Sequence, residues 1–325
     1  MQLKVTGPAP ESHVLVMTGG TSGFGRRMLE RLLHERPDWS VILLARRSPQ
    51  AASLEAWAAA SGLVDRLRIV ACDLASLASV SGACDAVATR LGRPIDALVL
   101  NAGIQAIQGD QASADGVELS FAVNHLAHVL IVDRLQPHVR KGGRIIITSS
   151  EVHDPAAFCL VGITRAEWQE PDVLADPVRS QSQYAEIVDR GEARYCASKL
   201  LNLMHVRYLA RHQSDVTVVA FNPSVVPGTG IARERNALQI LGWTYIMPLL
   251  APLLPGIRTI ARSAGDLLWL ATETDAAVLH GQYVNGRTAE PGSAESRDKG
   301  KIDSVIAVSR HLVKTRLESV CAAMP

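Results

Sequence analysis

Short apolar runs recur along this chain, and longer segments with helical spacing separate them. The runs VILLA at 41–45 and IIIT within GRIIITSS at 143–150 are typical, and similar runs begin at His13, Leu67, Ile95 and Val216. A strand without alternating polar residues is covered on both faces, which is the signature of a parallel sheet. The alternation of such strands with helices predicts an α/β fold with a doubly wound parallel sheet.

The 325 residues are enough for one large domain or two ordinary ones. We predict an N-terminal tail at 1–12, the α/β domain at 13–290 and a C-terminal helical tail at 291–325. Two segments interrupt the strand–helix rhythm and are too long for ordinary connections. The first, about 153–193, is predicted to be an insertion before a helix near 194–213, with helical capacity in RAEWQEPD and YAEIVDRGEAR. The second, about 224–262, is predicted to cover a substrate pocket.

Composition restricts the partners of the chain. Its net charge is +1, 47% of its residues are hydrophobic and 20% are charged, which does not provide the basic surface that nucleic acids require. The five scattered cysteines form no CxxC pair, and no signal peptide is recognisable, so a reduced, cytoplasmic protein is predicted. The apolar stretch 238–257 is broken by three prolines, so we expect no transmembrane segment, although peripheral membrane contact stays open.

The first predicted strand ends in a glycine-rich turn, TGGTSGFG, at 18–25. Backbone N–H groups and the helix dipole at such a strand–helix turn can hold a pyrophosphate, and absent side chains let phosphates approach. On its own, such a turn can also be purely structural. The loop residues predicted to contact a dinucleotide are Gly19, Thr21, Ser22, Gly23, Phe24 and Gly25.

The end of the second strand favours NADP over NAD. NAD sites usually have an acidic residue there, about 20 positions beyond the glycines, to bind the ribose 2′-hydroxyl. This sequence has Ala45 followed by Arg46 and Arg47. Two guanidinium groups suit a 2′-phosphate, and Ser22 could add a hydroxyl donor. The alternative is that both arginines are solvated loop charges.

Two further turns follow the third and fourth strands. In CDL, Asp73 is predicted to accept a hydrogen bond from the adenine amino group beside Leu74; the alternative for Asp73 is a helix N-cap. In NAG, the small-residue turn Asn101, Ala102 and Gly103 is predicted to pass beneath the cofactor ribose. The predicted cofactor site therefore follows the carboxyl ends of four strands.

The pentapeptide YCASK places Tyr195 and Lys199 on one face of a helix. Together with TGGTSGFG, CDL, NAG, Asn124 in VNHLAH and Ser150 in IIITSS, it resembles the short-chain dehydrogenase/reductase family, over roughly residues 13 to 286. The sequence looks most similar to the branch of retinol dehydrogenases and protochlorophyllide reductases. The resemblance implies a Rossmann fold and hydride transfer between a carbonyl and an alcohol.

The resemblance also implies roles for individual residues. Tyr195 would be the general acid/base, and the Lys199 ammonium would favour its phenolate and hold the nicotinamide ribose. Ser150, chosen over Ser149, would bind the substrate oxygen, and Asn124 would hold a relay water. After the sixth strand, NPSVVPGTG matches the family less well. The residues expected to contact the cofactor in that segment are Pro223, Val226 and Thr229, with Ser224 in place of a glycine and Thr229 one position late.

Several alternatives stay open at this stage. Apolar residues at 224–262, including Trp243, predict a lipophilic or bulky substrate. A C=C reductase is the alternative enzyme, with Cys159 as a possible proton donor, and a sensor or scaffold that binds NADP without turnover is the alternative outside catalysis. His125 and His128 lie at i, i+3 without a third ligand, which favours structural histidines over a metal site. The oligomeric state stays open.

Overall fold

The strands form one sheet of eight, in the order β3-β2-β1-β4-β5-β6-β7-β8. The computed structural model describes residues 12–157, 162–230, 234, 240–250, 254 and 256–322. Neighbouring strands from β3 to β7 are parallel, and only β8 is antiparallel to its neighbour. The strands are β1 His13–Thr18, β2 Trp39–Ala45, β3 Leu67–Ala71, β4 Ile95–Leu100, β5 Val139–Thr148, β6 Thr217–Asn222, β7 Tyr283–Asn285 and β8 Thr288–Glu290. The predicted doubly wound parallel sheet is confirmed.

Helices cover both faces of this sheet. The helix between β4 and β5, which we call α4, consists of Leu119–Phe121 and Ala127–Leu135 joined by the π-helical turn Ala122–Leu126. The helix α7 consists of the π-helical turn Gly242–Ile246 and Met247–Leu250. The others are α1 Gly23–Glu35, α2 Pro49–Ala60, α3 Leu77–Arg90, α5 Pro171–Leu174, α6 Ile187–His212, α8 Ile260–Thr272 and α9 Lys299–Ala322.

The core lies in two layers, one on each face of the sheet. In β1, Val14 and Val16 face the layer that contains α3, α4, α6 and α9, whereas Leu15 and Met17 face the layer that contains α1 and α8. All four side chains are buried. An apolar run without alternation therefore corresponds to burial on both faces, as predicted. The C-terminal helix belongs to this core, because Ile302 and Val305 are buried in the first layer.

The segment before the helix that carries Tyr195 and Lys199 differs from the sequence-based prediction. Residues 162–170, which include most of RAEWQEPD, form no helix, so that part of the prediction was wrong. Pro171 favours an extended Glu170 and begins the one-turn α5 instead. The long helix α6 begins at Ile187, seven positions before the predicted start. Gly191 permits this, because a Cβ there would lie 2.4 Å from the Ala106 carbonyl oxygen.

The segment 224–262 contains the short α7 and the start of α8. Its positions 231–233, 235–239, 251–253 and 255 lie outside the described residues, as do residues 1–11 of the predicted tail at 1–12 and Cys159. Among the described helices, none combines the length and apolar character needed to cross a bilayer.

Candidate active site

A cavity of about 790 Å³ opens at the carboxyl ends of β1, β4, β5 and β6. This is the edge where ligands bind in doubly wound sheets. Predicted residues on its wall are Gly19, Ser22, Gly23, Phe24, Gly25, Asn101, Ala102, Gly103, Ser150, Tyr195, Lys199, Pro223, Val226 and Thr229. The remaining predicted residues, which are Thr21, Arg46, Arg47, Asp73, Leu74 and Asn124, are not on that wall.

The glycine loop packs closely against the sheet. A Cβ on Gly19 would lie 2.6 Å from the backbone nitrogen of Ala102, and one on Gly25 would lie 2.1 Å from the Gly19 carbonyl oxygen. Larger residues therefore do not fit at either position. Ser22 is the N-cap of α1, yet its exposed hydroxyl makes no capping hydrogen bond. Both that hydroxyl and the first N–H groups of α1 can take an anion.

Beneath this loop lies a buried polar network that connects β1 with β4. The Thr18 hydroxyl oxygen accepts hydrogen bonds from the backbone nitrogens of Asn101 and Ala102, each at 3.1 Å. The Asn101 side chain donates to the Gly19 carbonyl at 2.9 Å and accepts from the Thr148 hydroxyl at 3.0 Å. The network fixes the NAG turn against the glycine loop, so both turns are positioned by neighbouring strand ends.

The residues predicted to bind the adenosine end are less constrained. Arg46 and Arg47 are exposed, and neither makes a hydrogen bond or ion pair with another residue in the described ranges. Asp73 is half-buried and accepts from the Ala75 backbone nitrogen at 3.1 Å. Ser76, not Asp73, is the N-cap of α3. The adenine contact of Asp73 therefore stays a prediction, with the carboxylate also ordering its own turn.

Tyr195 and Lys199 lie one helical turn apart on α6, and both face the cavity. The Lys199 Nζ atom lies 5.5 Å from the Tyr195 ring centroid and donates to the Thr148 carbonyl at 3.2 Å. Burial lowers the pKa of Lys199 to about 8, so most Lys199 side chains are still charged at pH 7. A cation is therefore present beside the phenol at neutral pH.

The two serines that end β5 have different environments. The Ser149 hydroxyl is buried and donates to the Lys199 carbonyl at 2.8 Å. The Ser150 hydroxyl is half-buried on the cavity wall, and its oxygen has a long contact of 3.5 Å with the Val152 backbone nitrogen. Among the described residues its hydrogen has no acceptor. This arrangement supports the choice of Ser150 as the residue that meets a substrate oxygen.

Asn124 lies behind the cavity wall, in the π-helical turn of α4. Its amide nitrogen donates to the Ile104 carbonyl and the Ser198 hydroxyl, each at 2.9 Å, and its oxygen accepts from the Ile104 backbone nitrogen at 2.8 Å. A Cβ on Gly103 would lie 3.2 Å from Lys199 Nζ and 3.5 Å from this oxygen. The Asn124 side chain therefore orders the chain after NAG, and its relay role stays a prediction.

The segment after β6 contains an unusual backbone conformation. Ser224, which stands where the family pattern has glycine, has a φ of 62°, in the left-handed region. Its hydroxyl donates to the Asn285 side chain at 2.9 Å. Farther along, the Thr229 hydroxyl donates to the Val226 carbonyl, and the Thr229 methyl lies 3.2 Å from where a Gly23 Cβ would be. Thr229 is thus beside the glycine loop.

Sequence reasoning missed three polar residues that support the site. Thr18 and Thr148 end strands β1 and β5, and the Asn202 amide donates to the Thr148 carbonyl at 3.0 Å beside Lys199. A threonine at a strand end resembles any other β-branched residue, so no local signal marks these two. Asn202 lies seven positions after Tyr195 in the helix, and its spacing could have suggested the same face.

The two helix histidines have structural hydrogen bonds. His128 Nε2 lies 3.2 Å from the Thr18 hydroxyl, and His125 Nε2 lies 3.0 Å from the Ser309 hydroxyl of α9. Burial lowers the pKa of His125 to about 4 and that of His128 to about 3, so both rings are neutral. Within the described part of the chain, no cluster of three potential ligands could hold a metal ion. Cys196 is also buried and lies 3.5 Å from the Thr164 carbonyl.

Comparison with known proteins identifies the family. The family model described as short chain dehydrogenase matches residues 13–159. The chain belongs to the short-chain dehydrogenase/reductase family. These proteins are oxidoreductases that bind NAD(P) and small-molecule substrates. The glycine loop, with its two close backbone approaches and its uncapped helix N-terminus, fits a dinucleotide of this kind.

Individual relatives agree with this assignment. A Streptomyces sp. (strain C5) protein that carries the name daunorubicin C-13 ketoreductase DnrU is 29% identical over 90% of each chain. Chloroplastic protochlorophyllide reductase A of Oryza sativa subsp. japonica is 31% identical, over 69% of this chain and 60% of its own. NADPH-bound carbonyl reductase from chicken fatty liver shares the fold, with a TM-score of 0.58, 18% identity, and coverage of 85% of this chain and 97% of its own.

Proposed function

We propose that this short-chain dehydrogenase/reductase uses NADP(H) to interconvert a carbonyl and an alcohol on a lipophilic or bulky substrate. The observation that carries the proposal is that Ser150, Tyr195 and Lys199 share one cavity with the glycine loop. In that arrangement the phenol, the amine and the hydroxyl can act on one oxygen atom beside a dinucleotide. The bound dinucleotide would supply or accept the hydride.

The protein side chains would manage the proton and the charge. In the direction of reduction, the Tyr195 hydroxyl would protonate the substrate oxygen, and its phenolate would then be stabilised by the Lys199 ammonium. The Ser150 hydroxyl would donate to the same oxygen and orient the substrate. Asn124 would hold a water molecule that returns a proton to Tyr195 by way of Lys199. Each role is the one expected of the matching family motif.

The preference for NADP is proposed from charge. No acidic residue follows β2, and the exposed guanidinium groups of Arg46 and Arg47 are available to a 2′-phosphate. The Ser22 hydroxyl lies in the neighbouring loop and makes no capping bond. Both observations support binding of the phosphorylated cofactor, because a phosphate needs donors that no protein group already occupies.

The proposal of a lipophilic substrate comes from the cavity wall. Beyond Ser150 and Tyr195 the wall is mainly apolar, and the residues concerned are Val152, Ile163, Val226, Trp243, Met247 and Leu254. Apolar walls with a few polar groups suit a ligand that buries most of its own surface. A small hydrophilic carbonyl compound would leave most of this wall in contact with water.

The described cysteines support a reducing, cytoplasmic location, which stays part of the proposal. Cys72 and Cys84 are buried and free, and Cys196 is buried as well. Burial raises the pKa of the Cys72 and Cys84 thiols to about 12, which makes both of them unreactive.

The first experiment measures NADPH oxidation with 9,10-phenanthrenequinone and decanal, in parallel with glyceraldehyde and dihydroxyacetone. We expect turnover of the lipophilic pair, and kcat at least about 1000-fold lower in Tyr195→Phe, because that variant has no proton to give. The affinity of the variant for NADPH, measured by nicotinamide fluorescence, should stay within about threefold of that of the unchanged protein. Turnover confined to the hydrophilic pair would contradict the substrate class. Full activity of Tyr195→Phe would contradict the mechanism, and binding without any turnover would favour the sensor.

Reduction of a C=C bond is a second candidate, and the similarity to protochlorophyllide reductase A favours it. The test uses the enone benzalacetone with NADPH, followed by product analysis. The proposed carbonyl chemistry gives the allylic alcohol, whereas C=C reduction gives the saturated ketone. Exclusive formation of the saturated ketone would replace the first proposal with the second.

A further inference from the structure

His153, three residues after Ser150, connects the serine turn to the C-terminal part of the chain. It is buried, with 4% of its surface exposed. Its ring Nδ1 lies 2.6 Å from the Ser150 carbonyl oxygen, and its ring Nε2 lies 3.1 Å from the backbone nitrogen of Ser293. One ring therefore joins two segments that are 140 positions apart in the sequence.

The direction of these two hydrogen bonds follows from chemistry. A backbone N–H can only donate, so Nε2 is the ring nitrogen without a hydrogen. Burial lowers the pKa of His153, so the ring is neutral and has a single N–H, which lies on Nδ1. Nδ1 therefore donates to the Ser150 carbonyl, which also accepts from the His153 backbone nitrogen at 3.2 Å. Two donors fix the orientation of that peptide group.

The C-terminal segment that carries Ser293 packs closely against His153 and α6. Gly292 has a φ of 65°, and a Cβ there would lie 2.9 Å from the Leu203 side chain and 3.3 Å from His153 Nε2. The Arg207 side chain, on α6, donates to the Pro291 carbonyl. The segment is thus attached both to His153 and to α6, the helix that carries Tyr195 and Lys199.

We infer that His153 is a positioning residue, which fixes the Ser150 backbone, and through it the Ser150 hydroxyl, relative to the phenol of Tyr195. The hydrogen bond from the Ser293 backbone nitrogen holds the other side of the ring. The inference rests on the proposed function, because that proposal gives Ser150 its contact with the substrate oxygen. A shift of the hydroxyl by about 1 Å would lower turnover by up to about 100-fold.

Two substitutions separate positioning from simple structural support. Glutamine places its amide oxygen near the Nε2 position, so His153→Gln keeps an acceptor for Ser293 and loses the donor to Ser150. Asparagine places its amide nitrogen near the Nδ1 position, so His153→Asn keeps the donor and loses the acceptor. The exposed His138, in a turn before β5, provides the matched control His138→Gln.

The measurements are kcat and KM with NADPH and 9,10-phenanthrenequinone at 15 °C, and Tm. For His153→Gln we expect kcat about 10- to 100-fold lower, with Tm near that of the unchanged protein and KM for NADPH unchanged. For His153→Asn we expect a lower Tm and kcat within about threefold. His138→Gln should change neither. An unchanged kcat in His153→Gln would overturn the inference. So would losses of kcat that are equal in the two His153 variants and are explained by their lower Tm.

A measurement on the unchanged protein does not depend on the variants folding. Nitrogen-15 chemical shifts of the labelled His153 ring should show protonation at Nδ1 at pH 7. Protonation at Nε2 would exclude both hydrogen bonds and overturn the inference. Failure of the proposed function is recognised separately, by full turnover in Tyr195→Phe or by absence of NADPH oxidation, whereas the nitrogen-15 result still decides the His153 contacts.

Discussion

The floor of the cavity and the rim beyond it, where Arg46 and Arg47 are predicted to bind the adenosine end of the cofactor, are built in opposite ways. On the floor, Thr18, Asn101 and Lys199 are joined by hydrogen bonds to backbone groups, and Thr18 and Lys199 are buried. On the rim, Arg46 and Arg47 are exposed and make no hydrogen bond or ion pair with other described residues. The floor thus fixes geometry before any ligand binds, whereas the rim offers charge alone. Substitutions on the floor should change turnover and stability together, and substitutions on the rim should change only cofactor preference.

The largest effect is expected from Lys199→Met. This variant tests whether the buried ammonium on the floor raises kcat and at the same time lowers the stability of the folded protein. Loss of the ammonium should lower kcat by about 1000-fold. The same change should raise Tm at pH 7, because the buried charge is unfavourable in the folded protein. The exposed Lys141 gives the control Lys141→Met, which should change neither quantity. A lower Tm in Lys199→Met would show that the hydrogen bond to Thr148 outweighs the burial penalty.

The pH dependence of this stability difference has a definite sign. The pKa of Lys199 is lowered to about 8 in the folded protein, below its value in the unfolded chain, so the unfolded state binds more protons between these two values. The penalty of up to about 3 kcal/mol is fully present below pH 8 and disappears as pH rises toward about 10.4. Urea unfolding at pH 7 and pH 10 should therefore show a large gain for Lys199→Met at pH 7 and a small one at pH 10.

The next effect concerns the rim. Replacing Arg46 and Arg47 with alanine should weaken NADPH binding by about 10- to 100-fold, because two charge-assisted contacts to the 2′-phosphate are lost. NADH binding should stay within about threefold. Tm should not change, since both side chains are exposed and neither makes a hydrogen bond or ion pair with another described residue. Fluorescence titration with both cofactors measures the ratio. The exposed Arg68 on the neighbouring strand β3 gives the control Arg68→Ala. If the loss of Arg46 and Arg47 weakened NADH binding as much as NADPH binding, that result would argue against a 2′-phosphate site.

The same contrast explains what the sequence could predict. Strands such as β1 were predictable because burial on both faces leaves an unbroken apolar run, and the glycine loop because its spacing is local. The three-residue strands β7 and β8 were missed, since three residues are too few to show a period. The early start of α6 at Ile187 depends on Gly191 fitting against the Ala106 backbone, which no local pattern records.

Residues that support the site were harder to predict than the residues on its wall. The family motifs indicated Ser150 and Tyr195, because a serine hydroxyl and a tyrosine phenol suit the roles proposed for them at a substrate oxygen. Thr18 and His153 have ordinary local surroundings, and their partners lie 83 and 140 positions away. Long-range hydrogen bonds of this kind depend on the packed fold, so they become visible only in three dimensions.

A smaller effect, on stability, tests the floor network directly. Thr18→Val keeps the shape of the side chain but leaves the backbone N–H groups of Asn101 and Ala102 without their acceptor. We expect the free energy of unfolding to fall by about 2–3 kcal/mol. The control Thr217→Val makes the same change in β6, at a hydroxyl with no hydrogen-bond partner among the described residues, and should be nearly neutral. Equal effects in both variants would show that the network does not stabilise the floor.

The smallest effect is expected at Ser224, on the cavity wall. Its left-handed backbone is unfavourable for a residue with a Cβ by about 1 kcal/mol, while its hydroxyl bond to Asn285 contributes a similar amount. Ser224→Gly removes both terms, so its free energy of unfolding should stay within about 0.5 kcal/mol of the unchanged protein. Ser224→Ala keeps the strain and loses the bond, so it should be less stable by about 1 kcal/mol. If urea unfolding finds the two variants equally stable, the strain at this position is negligible, and the family's glycine is not needed for backbone reasons here.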